Sequence, residues 1–268
     1  MPGTLWICAT PIGNLGDCSQ RLRDTFAQAD LIAAEDTRVT QKLLAHFGLK
    51  KPLLSLQKFN EAQRVHTLID KLNTGQNIAL VSDAGTPNIA DPGALVVAKI
   101  REAGFTISPI PGPSALTAFL SVCGTLTNQF YFAGFLPRKA AELVSVTETA
   151  PEAPFVFFEA ANRLDFALET LHNARPIARL TLAKELTKTF ETLITGTFEG
   201  TLTQFKALSP KGEWLGLIEW APTPLKPLAP VVAHLKTLGL STRQIIGVAT
   251  TLLNYPKNQV YDECHHDD

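Results

Sequence analysis

The sequence predicts an α/β protein whose N-terminal part is a mostly parallel sheet covered on both faces. Three observations predict it. Short apolar runs alternate with amphipathic stretches through the first 123 residues. Loops of ligand-binding type follow four of those apolar runs, three of them rich in glycine and proline. Each apolar run is also short, well below the ~18 residues of a membrane span. A βαβα rhythm with near-continuous apolar strands is the signature of a parallel sheet buried on both sides.

The elements follow in order. Residues 4–9 read as a strand and 19–28 as a helix with Ser19 as N-cap. Residues 31–34 are a short strand, and 37–47 a helix ending at Gly48, a natural left-handed terminator. Strands are expected at 53–56, 77–81 and 105–110, and helices at 60–72, 92–103 and 114–122. Residues 124–129 are the expected domain junction. Beyond it the rhythm is less regular, with strands at 130–135, 154–158, 178–183, 191–195 and 214–219 and helices at 162–171 and 198–208. Residues 221–230 hold four prolines and read as a linker. Two short helices, 231–238 and 242–253, follow around a turn at Leu240-Ser241, and 256–262 is a possible third turn. The expected division is 1–123, 124–222 and 223–268.

Composition narrows the function classes. At 268 residues with 45% apolar content, the chain has material for one large or two modest cores. Net charge is −1, so no global field draws it to nucleic acid or anionic membrane. An RNA partner would need a local basic surface or a second chain. The N-terminus lacks the basic stretch of a signal peptide. Cys8, Cys18, Cys123 and Cys264 are scattered and form no CxxC, so they read as free thiols of a cytoplasmic protein. His172, His234, His265 and His266 fall in no metal-ligand spacing, and His265-His266 sits in an acidic surface tail. No metal site is expected. No nucleophile elbow, zincin helix or P-loop occurs. The chemistry is therefore expected to belong to a bound cofactor.

Four loops are candidate ligand sites. They are residues 9–16 (ATPIGNLG), 34–38 (AEDTR), 82–93 (SDAGTPNIADPG) and 109–115 (PIPGPSA). The first is not GxGxxG, which argues against a dinucleotide site. Gly85 and Gly93 allow close backbone approach, while Pro87 and Pro92 fix the shape of the third loop. Ser114 stands where it can cap a helix whose free N–H groups could hold an anion. Any one such loop is usually only a turn. Four at one rim of a parallel sheet are the layout of a site.

Together these segments resemble the tetrapyrrole-methylase superfamily of S-adenosylmethionine (SAM) enzymes, and within it the branch that methylates small-subunit ribosomal RNA. The residues carrying the likeness are 9–17 (ATPIGNLGD), 30–38 (DLIAAEDTR), 80–87 (LVSDAGTP), 90–93 (ADPG) and 109–118 (PIPGPSALTA). In the second half they are 134–139 (GFLPRK), 157–159 (FFE), 162–164 (NRL), 185–188 (ELTK) and 211–213 (KGE). The resemblance implies two α/β domains, the second with a mixed sheet, a SAM cleft between them and a small helix-turn-helix-like C-terminal appendage. It implies a homodimer that methylates a cytidine ribose 2′-oxygen in the decoding centre of 16S rRNA. SAM would meet Pro11, Ile12, Gly13, Asp83, Ala84, Gly85, Thr86, Ser114 and Ala115. The chain departs from the family pattern at Glu159-Ala160-Ala161-Asn162-Arg163-Leu164, where a hydroxyl and a histidine are missing, and at Leu56-Gln57-Lys58-Phe59.

A ribose hydroxyl is a poor nucleophile at neutral pH, so a base or polarising group should assist. The candidates are Glu35, Asp36, Glu61, Glu159, Lys184 and Glu185, with Arg38 steadying the acceptor. Arg138, Lys139 and Lys188 are the candidate RNA contacts. Phe59 and Tyr131 are candidates for base stacking, with core packing the stronger expectation for Tyr131. Lys236, Arg243 and Lys257 would make the C-terminal helices a binding surface, unless these helices serve packing instead. Two other activities remain open: methylation of a small tetrapyrrole-like molecule or protein side chain, and non-catalytic SAM and rRNA binding in ribosome assembly. The substrate is expected to be the assembled small subunit, since a near-neutral protein gains little from non-specific phosphate attraction.

Overall fold

The computed structural model describes residues 1–125, 128–208, 211–222, 227–253 and 255–265. Residues 126 and 127 of the expected junction, 223–226 of the expected linker, and His266 with the two aspartates after it lie outside them. The chain forms two compact units, Met1–Trp220 and Ala221–Asp268.

The first unit holds two five-stranded sheets. The N-terminal one is built from β1 (Thr4–Cys8), β2 (Leu31–Ala34), β3 (Leu53–Ser55), β4 (Ile78–Val81) and β5 (Thr106–Ile110), in the order β3-β2-β4-β1-β5. Every pairing in it is parallel. All residues of β2 and β4 are buried, as expected of strands covered on both faces. Helices α1 (Gln20–Gln28) and α2 (Thr37–His46) cover one face, packing Leu22, Phe26, Leu43 and Leu44 on Ile32 and Ala79. Helices α3 (Glu61–Asn73) and α4 (Ala94–Glu102) cover the other, packing Val65, Leu68, Val96 and Ile100 on Leu5 and Leu80. The Ser19 side chain caps α1 by accepting the Leu22 N–H, and Gly48 adopts φ 69° after α2.

This winding places a switch point at the centre. β1 leads to α1 on one face, while its neighbour β4 leads to α4 on the opposite face. Their outgoing loops therefore diverge and open a crevice between them.

Helix α5 (Ala115–Val122) leads to the second sheet, made of β6 (Tyr131–Phe135), β7 (Phe155–Ala160), β8 (Ile177–Lys184), β9 (Thr192–Gly196) and β10 (Glu213–Trp220), in the order β6-β7-β10-β8-β9. It is mixed: β6 and β7 run parallel and the remaining pairs antiparallel. Helices α6 (Ala140–Thr149), α7 (Ala161–Ala174) and α8 (Phe198–Ala207) cover one face around Phe155, Phe157 and Trp214. The other face, with Val156, Leu215 and Leu217, packs on Phe119 of α5.

The sequence reading places every strand within about two residues of its observed limits and omits α6. Several elements are longer than expected: β7 runs on to Ala160, α7 ends at Ala174, and β8 and β10 each gain a residue at both ends.

In the second unit α9 (Leu228–Thr237) starts three residues before the expected 231, inside the proline-rich stretch. Pro227 is its N-cap and Pro230 falls in the first turn, where a missing N–H costs little. The α10 helix (Thr242–Thr251) opens on a capping box between Ser241 and Gln244. The expected last turn is a full helix, α11 (Lys257–Cys264), and all three helices share a small core around Val232, Ile245 and Val260. Gly239, at φ 76°, lies in the short turn between α9 and α10, as in helix-turn-helix units.

All four cysteines are free. Among the described residues no helix is long and apolar enough to cross a membrane.

Candidate active site

The four loops expected to bind ligand leave the same rim of the N-terminal sheet and are bonded to one another. Thr10 and Gly85 exchange backbone hydrogen bonds, Thr10 N to Gly85 O at 2.9 Å and Gly85 N to Thr10 O at 3.0 Å. This joins the β1 and β4 loops across the switch point. The Asp36 N–H donates to Asp83 Oδ1 at 2.8 Å, and the Asp83 N–H donates to Glu35 Oε2 at 3.3 Å. That reciprocal pair joins the β2 and β4 loops. The Thr86 hydroxyl donates to Pro113 O at 3.1 Å, joining the β4 and β5 loops.

Gly85 is required by this arrangement. Its φ is 76°, and a Cβ there would come 3.2 Å from the Ile12 side chain and 3.8 Å from Pro113 O. Asn88 and Ala90 also hold positive φ, 71° and 67°, without being glycine. Strain of this kind persists only where surrounding structure fixes the loop. Glu61 is one such fixture: buried to 7% exposure, its Oε1 accepts the Gly93 N–H at 2.8 Å.

A cavity of about 440 Å³ lies over these loops, within the range of small-molecule sites. Its N-terminal wall includes Ile12, Glu35, Ser114 and Ala115 together with Asp83, Ala84, Gly85 and Thr86. The opposite wall comes from the second sheet: Phe135 from β6, Phe158 from β7, and Glu213 and Leu215 from β10. Asp91 lies between them on the β4 loop.

Seven of the nine residues expected to meet SAM, plus Glu35, thus converge on one cavity. Pro11 and Gly13 do not line it. Gly13 abuts the loop after β8, where an added Cβ would lie 2.4 Å from Lys188 Cγ. Ser114 occupies the N-cap position of α5 but makes no side-chain cap bond. Its hydroxyl is not committed to the helix.

Of the other candidates, Glu159 also lines the cavity from the end of β7, and the rest lie elsewhere. Asp36 caps α2 and pairs with Arg38, whose guanidinium is exposed. Hydrogen bonds from Arg38 hold the Asp36 carboxyl down to about 2. Lys184 lies over the Trp214 ring. Glu185 accepts from Lys188 Nζ at 3.2 Å. Arg138 is exposed at the end of the β6 turn, and Lys139 pairs with Glu142 on the surface. Glu159 Oε2 sits 3.2 Å from Arg163, and Arg163 also donates to Pro137 O at 2.6 Å. This pair ties α7 to the turn after β6. Phe59 is exposed, whereas Tyr131 stacks on Phe155, on the helix-covered face.

Among the cavity residues that the sequence reading does not name as site candidates are Asp91, Glu213 and Phe135. Asp91 is visible in the ADPG motif, but its neighbours come from distant segments. The cavity is acidic, and its carboxyls respond. Burial pushes Glu35 above the usual carboxylate range; the Asp83 N–H opposes this, and the carboxylates of Asp83, Asp91 and Asp36 add to it. Burial likewise raises Asp91, opposed by a hydrogen bond from Ser82 and reinforced by Asp83 and Glu213. Among the described residues no group of three or more His, Cys, Asp or Glu is placed to hold a metal ion.

Residues 4–201 match the family of Tetrapyrrole (Corrin/Porphyrin) Methylases. The chain belongs to the tetrapyrrole-methylase family. It is 40% identical over 272 residues to the ribosomal RNA small subunit methyltransferase I of Haemophilus influenzae, covering 97% of this chain and 96% of that protein. It is 46% identical over 225 residues to the protein of the same name from Xylella fastidiosa, covering 82% of each. The fold is also that of uroporphyrin-III C-methyl transferase from Thermus thermophilus, solved with S-adenosyl homocysteine, at TM-score 0.55 and 14% identity over 80% of this chain and 96% of that one. The chain is thus a SAM-dependent methyltransferase of the tetrapyrrole-methylase fold, in the branch of the small-subunit rRNA enzymes.

Proposed function

We propose that this methyltransferase acts on the 2′-oxygen of a cytidine in the decoding centre of 16S rRNA, within the assembled small subunit and as a homodimer. The observation that supports an RNA acceptor is the cavity's asymmetry. One wall is a set of cross-bonded loops, and the other carries the rings of Phe135 and Phe158 beside Glu159 and Glu213 and runs on in sequence to the exposed cationic pair Arg138-Lys139. The full-length relatives named as rRNA small subunit methyltransferases support the same substrate.

SAM suits the first wall. It is a cation at sulfur and at its amino group, and Glu35, Asp83 and Asp91 surround the space with negative charge. Ile12 and the backbone of 83–86 would hold it, with Ser114 and Ala115 at the start of α5. When bound, SAM supplies a methyl group on a sulfonium sulfur, an electrophile that needs no metal.

The chain's own task is to orient and deprotonate. Cross-bonding among the loops fixes the donor site before ligand arrives, so little ordering remains at the moment of reaction. Asp91 is the base in this reading. It sits on the β4 loop beside the second sheet, where Ala90 faces Gly134 of β6. Its raised pKa brings it nearer to the working pH of a general base. The 2′-hydroxyl proton passes to its carboxylate as the oxygen becomes nucleophilic. Glu35 contributes negative charge at the donor side through its hydrogen bond from Asp83.

The test is transfer of labelled methyl from SAM into small subunits taken from a strain lacking this enzyme, followed by mapping of the modified ribose. Label on a base, in protein or nowhere sinks the reading. Equal activity on naked 16S rRNA counts against the assembled subunit as substrate, and a monomer in sedimentation counts against the dimer.

A further inference from the structure

Strand β6 carries an irregularity that re-aims one side chain. Phe132 is opposite Val156 of β7, and the next aligned pair is Phe135 with Phe158. Three steps on β6 thus match two on β7. The extra residue is accommodated by Gly134 at φ 67°. Bulges in parallel pairs are rare, and bulges beside sites commonly redirect a side chain.

The consequence follows from the period of two along a strand. Without the bulge, Phe135 would share a face with Ala133, which packs into the core under α6 and α7. With it, Phe135 joins Phe132 and Phe158 on the cavity face. The three rings form a ladder: Phe132 meets Phe158 edge-on at 5.1 Å, and Phe158 meets Phe135 at 5.5 Å and 58°. Phe135 lines the cavity yet is 60% exposed. One side of the ring is thus supported by protein and much of the rest is open.

The position is held from behind. Arg163, paired with the buried Glu159, donates to the carbonyl of Pro137, two residues further on. Arg138 and Lys139 follow immediately, so a fixed aromatic platform is continuous in sequence with two exposed cations.

We infer that Phe135 is the stacking platform for a nucleobase of the acceptor strand, with Arg138 or Lys139 at an adjoining phosphate. This rests on the RNA reading given above and extends it to a residue. An unstacked base in single-stranded RNA is held on aromatic faces in this way, and the phosphate contacts set register. Stacking tolerates any base, so Phe135 would hold the target region and leave discrimination of cytidine to other groups.

The test compares wild type with Phe135→Leu and Phe135→Tyr, measuring KM and kcat on small subunits and SAM affinity by calorimetry. The expected result for Phe135→Leu is a KM for subunits raised about tenfold, from the loss of one base stack, with SAM affinity within about twofold. Phe135→Tyr, which keeps the ring, should restore KM to within about twofold. An unchanged KM in Phe135→Leu, failure of Tyr to rescue, or a tenfold weaker SAM complex with unchanged subunit KM each overturns the inference. The last result would assign the ring to the cofactor. Absence of label in RNA from the wild-type enzyme overturns the functional reading and this inference with it, whereas label with an unmoved KM overturns only this inference.

Discussion

The two walls of the cavity are built by different rules. The N-terminal wall consists of loops that leave adjacent parallel strands at one rim and bond to each other through backbone groups, some paired with the side chains of Glu35, Asp83 and Thr86. The second-sheet wall consists of side chains on strands β6, β7 and β10, aimed by register and by one bulge. A wall of backbone is sensitive to what glycine permits. A wall of side chains is sensitive to which face a residue takes. Substitutions on the two sides should therefore fail differently, the first in donor binding and the second in acceptor binding.

The sharpest break lies where the walls meet. Asp91→Asn removes the proposed base with little change of shape. A loss of kcat of about 10²–10⁴-fold is expected, the usual contribution of general base catalysis, with SAM affinity changed far less. In the wild type, kcat/KM should rise with pH through an apparent pKa above the ordinary carboxylate value of about 4, because burial raises Asp91. The sign for stability is opposite. A carboxyl whose folded pKa is raised favours folding most below its unfolded pKa, and that contribution is lost as pH rises through the folded value. Asp91→Asn should thus be more stable than wild type at neutral pH, with the difference vanishing in acid. A variant with near-normal kcat would move the base to Glu35.

The next largest effect is expected on the second-sheet side. Arg163→Ala leaves Glu159, whose side chain is 2% exposed, buried without its partner. Breaking such a pair from one side costs about 3 kcal/mol. It also releases the Pro137 carbonyl that positions the turn after β6. Urea denaturation should show the loss of stability, and KM for subunits should rise more than KM for SAM. Equal effects on both would mean that the two walls are not independent.

On the N-terminal side, Gly85→Val should weaken SAM binding about thirtyfold, which corresponds to about 2 kcal/mol. The cost combines the strain of a β-branched residue at φ 76° with its crowding of Ile12. Calorimetry with SAM reads this directly. A normal affinity would show that the β4 loop does not carry the donor.

The same contrast explains what can be read from the sequence. Parallel strands buried on both faces stand out as apolar runs, and their outgoing loops must lie at one rim. That the loops at 9–16, 82–93 and 109–115 share a rim and line one cavity is therefore legible in the order of residues alone. The second wall is not. Phe135 reads as one more strand aromatic until Gly134 breaks the alternation. Glu213 belongs to an antiparallel strand whose partners are 50 or more residues away in some cases, as with Ala160. The helix α6 escapes notice because Ala140-Ala141 follows a turn with no side-chain cap to mark its start. The departure at Ala160-Ala161-Asn162 sits at the β7–α7 corner, where Glu159 and Arg163 act as a brace on the turn after β6.

Glu61 shows where residue type alone misleads. A carboxylate near a ligand rim is a reasonable base, and Glu61 is a candidate on those grounds. Its Oε1 accepts the Gly93 N–H at 2.8 Å, and its side chain is buried between the start of α3 and the start of α4. Gly93, at φ 120°, closes the strained loop that carries Asp91. The geometry suits a residue that positions the loop through an accepted hydrogen bond. Glu61→Gln keeps an acceptor oxygen and removes the charge. The expected cost is about 1 kcal/mol, the difference between a charged and a neutral acceptor, with kcat reduced only a few-fold. Glu61→Ala should cost more, because the Gly93 N–H is then buried without a partner. A Gln variant as inactive as Asp91→Asn, with an unchanged melting temperature, would instead place the proton transfer at Glu61 and return Asp91 to the role of a charged wall.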